Sequence, residues 1–411
     1  MRICELELRR GPTGARASAR VEWEDSPRDP FELRFETDGS AADDLSAEPE
    51  AFATACALAA ARNGERRVLV EGSLCPRLAD GLRAAVALLG SWYGAERRAL
   101  VLEATLGFRA IPPRKPARTA LFLTCGIDSL HLLASNRSSY PSDHPDAFAD
   151  CLSVYGHICA ESPVSPWNDR FLAMLAGTAE QARLAVVAVR TNLWKLEPDL
   201  PFVARESLSS ALVASAHLFR RRWTSISLAS GRAVANEIPR GTHPMLDPLY
   251  SSSALTIRHD PSPYGRFERL RAIAASPAGV ANVVVCQAYP DPPFLNCGAC
   301  EKCVRTMTML VALGRLSEAR QFPADDVTPE RIRAVPVRPV EAEYWSDVLS
   351  ELGRIGRTDL ARAVREKLAE AVRIRRWQED AGWKGSMRRL DRRVLGGRAL
   401  ALRRRLFGPP R

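Results

Sequence analysis

Two short stretches of this 411-residue chain carry residue types at spacings that do chemistry. The first is Thr124-Cys125-Gly126-Ile127-Asp128-Ser129, which follows the apolar run Thr119–Leu123 and leads into a helical pattern from Leu130. A strand, a tight turn with hydroxyls and a glycine, and a helix start together make an anion trap. The N–H groups of the turn converge, and the helix N-terminus adds partial positive charge. Asp128 is the residue type that holds Mg²⁺ against phosphate oxygens. Ser129 can cap the helix or donate to a phosphate. A plain capped turn is the competing reading.

The second stretch is Cys297-Gly298-Ala299-Cys300-Glu301-Lys302-Cys303, with Cys286 upstream of it. Four thiolates suit tetrahedral Zn²⁺, and ligands at C-x-x-C-x-x-C spacing let one backbone turn supply three of them. Gly298 permits the chain reversal. Such binding contributes about 10–16 kcal/mol to local folding. A closed four-cysteine site of this kind is structural, and an iron–sulfur cluster is the other metal that four thiolates hold. Neither G-x-x-x-x-G-K-[ST] nor G-x-G-x-x-G occurs in the chain.

The pair of motifs resembles the PP-loop ATP pyrophosphatases, and among them the 7-cyano-7-deazaguanine synthase family. Thr124–Ser129 is similar to their S-G-G-x-D-S loop, with Thr124 in place of serine and Cys125 in place of glycine. The cysteine set resembles their zinc knuckle. The resemblance covers about 118–314, and it is specific at its two ends. It implies a HUP-like domain and an enzyme that turns ATP into an adenylate and pyrophosphate. By position it assigns Thr124, Asp128 and Ser129 to catalysis, with ATP, Mg²⁺ and Zn²⁺ as cofactors. Cys125, Gly126 and Ile127 would line the nucleotide site, as would His157 after the second strand and Ser230 and Gly231 after the fourth. A Cβ at Cys125 costs about 1–2 kcal/mol if that residue is left-handed. Alternatively Cys125 is a reactive thiol whose pKa is lowered by the helix N-terminus.

These motifs need a scaffold. Candidate strands at Thr119–Leu123, Cys151–Tyr155, Leu184–Val189, Thr224–Ala229 and Asn282–Cys286 alternate with helix-like segments such as Phe171–Arg183 and Ser207–Arg220. That alternation predicts an α/β fold with a parallel five-stranded sheet and helices on both faces. Ligands then sit beyond the strand carboxyl ends where strand order reverses. Residues 1–109 read as a separate N-terminal α/β domain, with a strand at Arg66–Val70 and a helix marked by Leu78, Leu82, Val86 and Leu89. Residues 110–117, with three prolines, are a stiff linker. The ATP-binding domain with its knuckle spans 118–324. A helical, Arg-rich extension fills 325–411, with a helix expected from about Glu341 to Arg376.

Three further residues are candidates for substrate contact: Arg205, His243 and Asp247. His243 also reads as a loop-stabilising hydrogen bonder, the commoner role of such a residue. Arg266 and Arg269, one helical turn apart, could meet phosphate or carboxylate, or form a solvated face. From Gly353 onward, 18 Lys and Arg face 6 Asp and Glu, a balance of +12 against +10 for the whole chain. The body is therefore near neutral, and contact with RNA or an acidic surface belongs to the tail, unless the tail is only a soluble face. No apolar run is long enough to span a membrane. Cysteine usage and the lack of a secretory signal at the first residues point to a reducing cytoplasm. A homodimer is left open.

The leading expectation is an ATP-dependent ligase that activates a small carboxylate and releases pyrophosphate. A PP-loop enzyme thiolating tRNA or a nucleobase, and a non-catalytic nucleotide-binding subunit, are the alternatives.

Overall fold

A computed structural model of the chain describes residues 1–94, 99–156, 166–275, 277–286, 288, 290, 293–379 and 391. It divides into two compact units, Met1–Leu295 with Ala319–Gln321, and Asn296–Glu318 with Phe322–Arg411.

The first unit is α/β and is built on a ten-stranded sheet. In chain order its strands are β1 (Arg2–Arg10), β2 (Gly14–Glu22), β3 (Phe31–Asp38), β4 (Arg67–Val70), β5 (Val101–Ala104), β6 (Thr119–Phe122), β7 (Phe148–Tyr155), β8 (Ala185–Thr191), β9 (Ser225–Ala233) and β10 (Thr256–Ser262). Across the sheet the order is β10-β9-β6-β7-β8-β3-β2-β1-β4-β5. The run from β10 to β8 is parallel throughout. β3, β2 and β1 then follow antiparallel, and β4 and β5 finish in parallel with β1. All four residues of β6 are buried, as suits a strand covered on both faces.

The expected five-stranded sheet is corrected in two ways. The apolar run Asn282–Cys286 forms no strand, and the fifth parallel strand is β10. β10 reads Thr-Ile-Arg-His-Asp-Pro-Ser, which lacks an apolar pattern because it is an edge strand, where charges and a proline are tolerated. The run at 282–286 braces the turn after β6 instead: Val284 N–H donates to Cys125 O at 2.9 Å.

Second, the first 109 residues do not stand apart. β3 pairs with β8 through Phe35 and Thr191 and through Glu36 and Arg190. The seam is reinforced by Thr191 Oγ1 donating to Arg34 O and Thr37 Oγ1 donating to Ala188 O, both at 2.8 Å. The expected boundary at 109/110 therefore falls inside one unit. Within those residues, β4 and the buried faces of Leu78, Leu82, Val86 and Leu89 on the helix Pro76–Tyr93 follow the sequence pattern. Residues 110–117 hold neither helix nor strand.

In the second unit the helix Glu301–Ala312 carries a buried face of Cys303, Val304, Met307 and Leu310. The single helix expected from about Glu341 to Arg376 is broken into Ala342–Ser346, Leu349–Arg354 and Thr358–Glu379. Gly356, at φ +75°, ends the middle piece. The last helix buries Leu360, Ala363, Val364 and Lys367 while Arg362, Arg365, Arg373, Arg375 and Arg376 stay exposed. The Arg-rich residues beyond it lie outside the described residues, Asp391 apart.

Candidate functional site

β6 lies between β7 and β9, so the connections that follow it build the sheet outward in opposite directions. The turn after β6 therefore opens at a reversal point of strand order, where parallel sheets leave a crevice. Gly126 is the N-cap of the helix Ile127–Ser139 (φ −73°, ψ 159°) and supplies no side-chain cap. The first N–H groups of that helix have no intrahelical acceptor by construction. Thr124 is exposed at the mouth, while Ser129 is buried and donates to Gly126 O at 3.1 Å.

Cys125 is left-handed, at φ +52°, so the strain that its Cβ brings is present, about 1–2 kcal/mol. Its side chain is fully buried, and burial pushes the thiol up to about 12. Burial thus works against the reactive-thiol reading of Cys125, because thiolate is what nucleophilic chemistry requires.

Asp128 points at two arginines. Its Oδ2 accepts from Arg266 Nη2 at 2.7 Å and its Oδ1 from Arg269 Nη1 at 2.8 Å. Burial alone would raise the Asp128 pKa, but the guanidiniums win and hold it below the usual carboxylate range. Arg266 and Arg269 are thus not a solvated face, and Arg269 is 1% exposed. Arg266 also donates to Gly231 O at 3.1 Å, and Arg269 to the carbonyls of Ser230, Arg232 and Tyr264. The arginines thereby join the turn to Ser230 and Gly231, the pair expected near the nucleotide. Both Asp128 oxygens face guanidiniums, so Mg²⁺ placed on this carboxylate would sit against two cations, which does not suit the role given to it. His157 lies outside the described residues.

The candidate substrate residues are placed as follows. His243 is buried, packs edge-on against the Trp92 ring at 4.8 Å, and accepts from Met245 N–H through Nδ1 at 3.1 Å. Its own N–H donates to Asp247 Oδ1 at 3.2 Å. Asp247 is fully buried and its Oδ2 lies 2.8 Å from His259 Nδ1. Both contacts fasten the loop, Asp247 to β10 and His243 to the helix Pro76–Tyr93. Arg205 is exposed in the π-helical turn Val203–Ser207, and its carbonyl accepts from the Tyr93 hydroxyl at 3.2 Å. Gly241 fits against this turn because an added Cβ would lie 2.9 Å from Glu206 N.

Sequence reasoning missed His259 as the partner of Asp247, and Glu237, whose Oε1 accepts from Ser230 Oγ at 2.6 Å. No local pattern marks either contact.

The cysteines do converge. The Sγ atoms of Cys286, Cys297, Cys300 and Cys303 all lie within 4.8 Å of one another. A zinc tetrahedron with Zn–S of about 2.3 Å has S···S edges of about 3.8 Å, and Cys297 and Cys303 are 3.8 Å apart. Donor type, number and spacing fit a metal such as zinc. Cys300 N–H points to Cys297 Sγ and Ala288 N–H to Cys286 Sγ, both at 3.3 Å, which favours thiolates. Gly298 is left-handed, at φ +68°, and a Cβ there would come 2.5 Å from Pro323 Cγ. Cys300 caps the helix Glu301–Ala312, which brings its dipole to the sulfurs.

Among the described residues no helix is long and apolar enough to cross a membrane. Comparison with family models, curated proteins and solved structures gives no match.

Proposed function

We propose that the chain is an ATP-dependent, adenylate-forming enzyme of PP-loop type, related in design to 7-cyano-7-deazaguanine synthase, with a structural zinc. One observation carries the reading: an uncapped helix N-terminus opens at the order-reversal strand of a parallel run, with two arginines beside it. Polyphosphate is the ligand class whose charge suits that mouth.

In the proposed reaction a carboxylate oxygen attacks the α-phosphorus of ATP. The new O–P bond forms as the bond to the bridging oxygen breaks, and pyrophosphate leaves with that electron pair. Ammonia or an amine then adds to the acyl carbon, AMP departs, and the nitrogen loses a proton to solvent. Arg266, Arg269, the Thr124 hydroxyl and the N–H groups of 126–129 would stabilise charge on the leaving pyrophosphate, the largest lever in such transfers. Arg205, His243 and Asp247 would shape the acceptor side, the last two as supports. Zinc on the four cysteines supplies folding energy there and no chemistry.

The test is pyrophosphate release by the full chain, given ATP, ammonia and a panel of small carboxylates. Release should depend on one carboxylate and fall by about 10²-fold in Arg266→Ala. No substrate-dependent release across the panel would sink the enzymatic reading. ATP binding without turnover would favour a non-catalytic nucleotide-binding subunit. The observation on that side is that Asp128 is already committed to two guanidiniums. Thiolation through Cys125 finds no support in a buried, protonated thiol.

A further inference from the structure

The carboxylate expected to hold a metal ion is already paired with two of the protein's own cations, and those cations are fixed. Arg269 is buried and bound to the carbonyls of Ser230, Arg232 and Tyr264 as well as to Asp128. Arg266 spans Asp128 and Gly231 O. Two guanidiniums therefore oppose one carboxylate beside an uncapped helix start, leaving an excess of positive charge before the helix dipole is added. A divalent cation placed on Asp128 would meet both guanidiniums at ion-pair distance, a like-charge clash. A polyphosphate meets the opposite: complementary charge.

We infer that Arg266 and Arg269 fill the charge-neutralising role expected of a divalent metal at this mouth, so that polyphosphate binds there without metal, with Asp128 as the resident counterion it displaces. The inference rests on the polyphosphate reading above and adds the identity of the neutralising groups. Asp128 and the anion compete for the same guanidiniums, so neutralising Asp128 strengthens anion binding. A metal-holding Asp128 requires the opposite sign.

Titration calorimetry of inorganic pyrophosphate into the full chain decides between them, once in EDTA and once in excess Mg²⁺, for the native protein, Asp128→Asn and Arg266→Gln. Arg269 is left in place, because its ties to three carbonyls make any change there a folding experiment. The native dissociation constants with and without Mg²⁺ should agree within about threefold, a difference of well under 1.4 kcal/mol. Asp128→Asn should tighten metal-free binding by about tenfold and Arg266→Gln should weaken it by about tenfold. Binding seen only with Mg²⁺, or binding unchanged or weakened in Asp128→Asn, overturns the inference while leaving a phosphate site standing. Failure of all three proteins to bind under either condition overturns the polyphosphate reading itself. Should Asp128→Asn not fold, the native comparison of EDTA with Mg²⁺ decides alone.

Discussion

The turn at Thr124–Ser129 and the turn at Cys297–Cys303 use nearly the same backbone device for different ends. Each delivers the chain into a helix through an extended N-cap, Gly126 at φ −73°, ψ 159° and Cys300 at φ −74°, ψ 162°. Each has a left-handed residue ahead of that cap, Cys125 one residue before it and Gly298 two. In the cysteine turn the left-handed residue is the glycine that such geometry favours, and the helix dipole meets sulfur ligands supplied by the chain. In the other the left-handed residue is a buried cysteine, and the one acidic side chain is balanced by arginines. A helix N-terminus is thus a site for negative charge in both cases. What differs is that the cysteine turn brings its own sulfurs, whereas on the reading proposed above the other turn leaves the place for an anion from outside.

That contrast can be broken most forcefully at the sulfurs. Cys303→Ser should abolish stoichiometric zinc by elemental analysis and unfold the Glu301–Ala312 region, since metal of this kind supplies about 10–16 kcal/mol in small modules. Hydrogen exchange on that helix reads the loss, and retained zinc with unchanged protection would refute Cys303 as a ligand. Gly298→Ala should cost about 2–4 kcal/mol in denaturant unfolding, from left-handed strain plus the clash with Pro323. A cost below that of an ordinary surface change would mean the turn is not held as described. The smallest effect sharpens the other side. Cys125→Gly should be more stable than Cys125→Ala by about 1 kcal/mol, because only the alanine keeps the left-handed Cβ. Equal midpoints would show that Cys125 is not strained.

The local features were legible because they are encoded locally. Hydroxyl, glycine and acid after Thr119–Leu123 mark the turn, and cysteine spacing marks the convergence at Cys303. What was not legible depends on partners far apart in the chain. Arg266 and Arg269 lie 138 and 141 residues from Asp128, so nothing near either end announces that the three meet. Thr256–Ser262 escaped notice because an edge strand has no need of apolar alternation, while Asn282–Cys286 looked like a strand because Val283 and Val284 are buried for another reason. The seam between β3 and β8 is a backbone ladder reinforced by Thr37, Thr191 and Asn192, residues as ordinary in a loop as in a strand.

Val284, whose N–H is fastened to the Cys125 carbonyl, stands only two residues before Cys286. So short a tether spans at most about 7 Å and has little slack to absorb a displacement. A constraint on that sulfur is therefore also a constraint on the peptide of the strained cysteine at the mouth of β6.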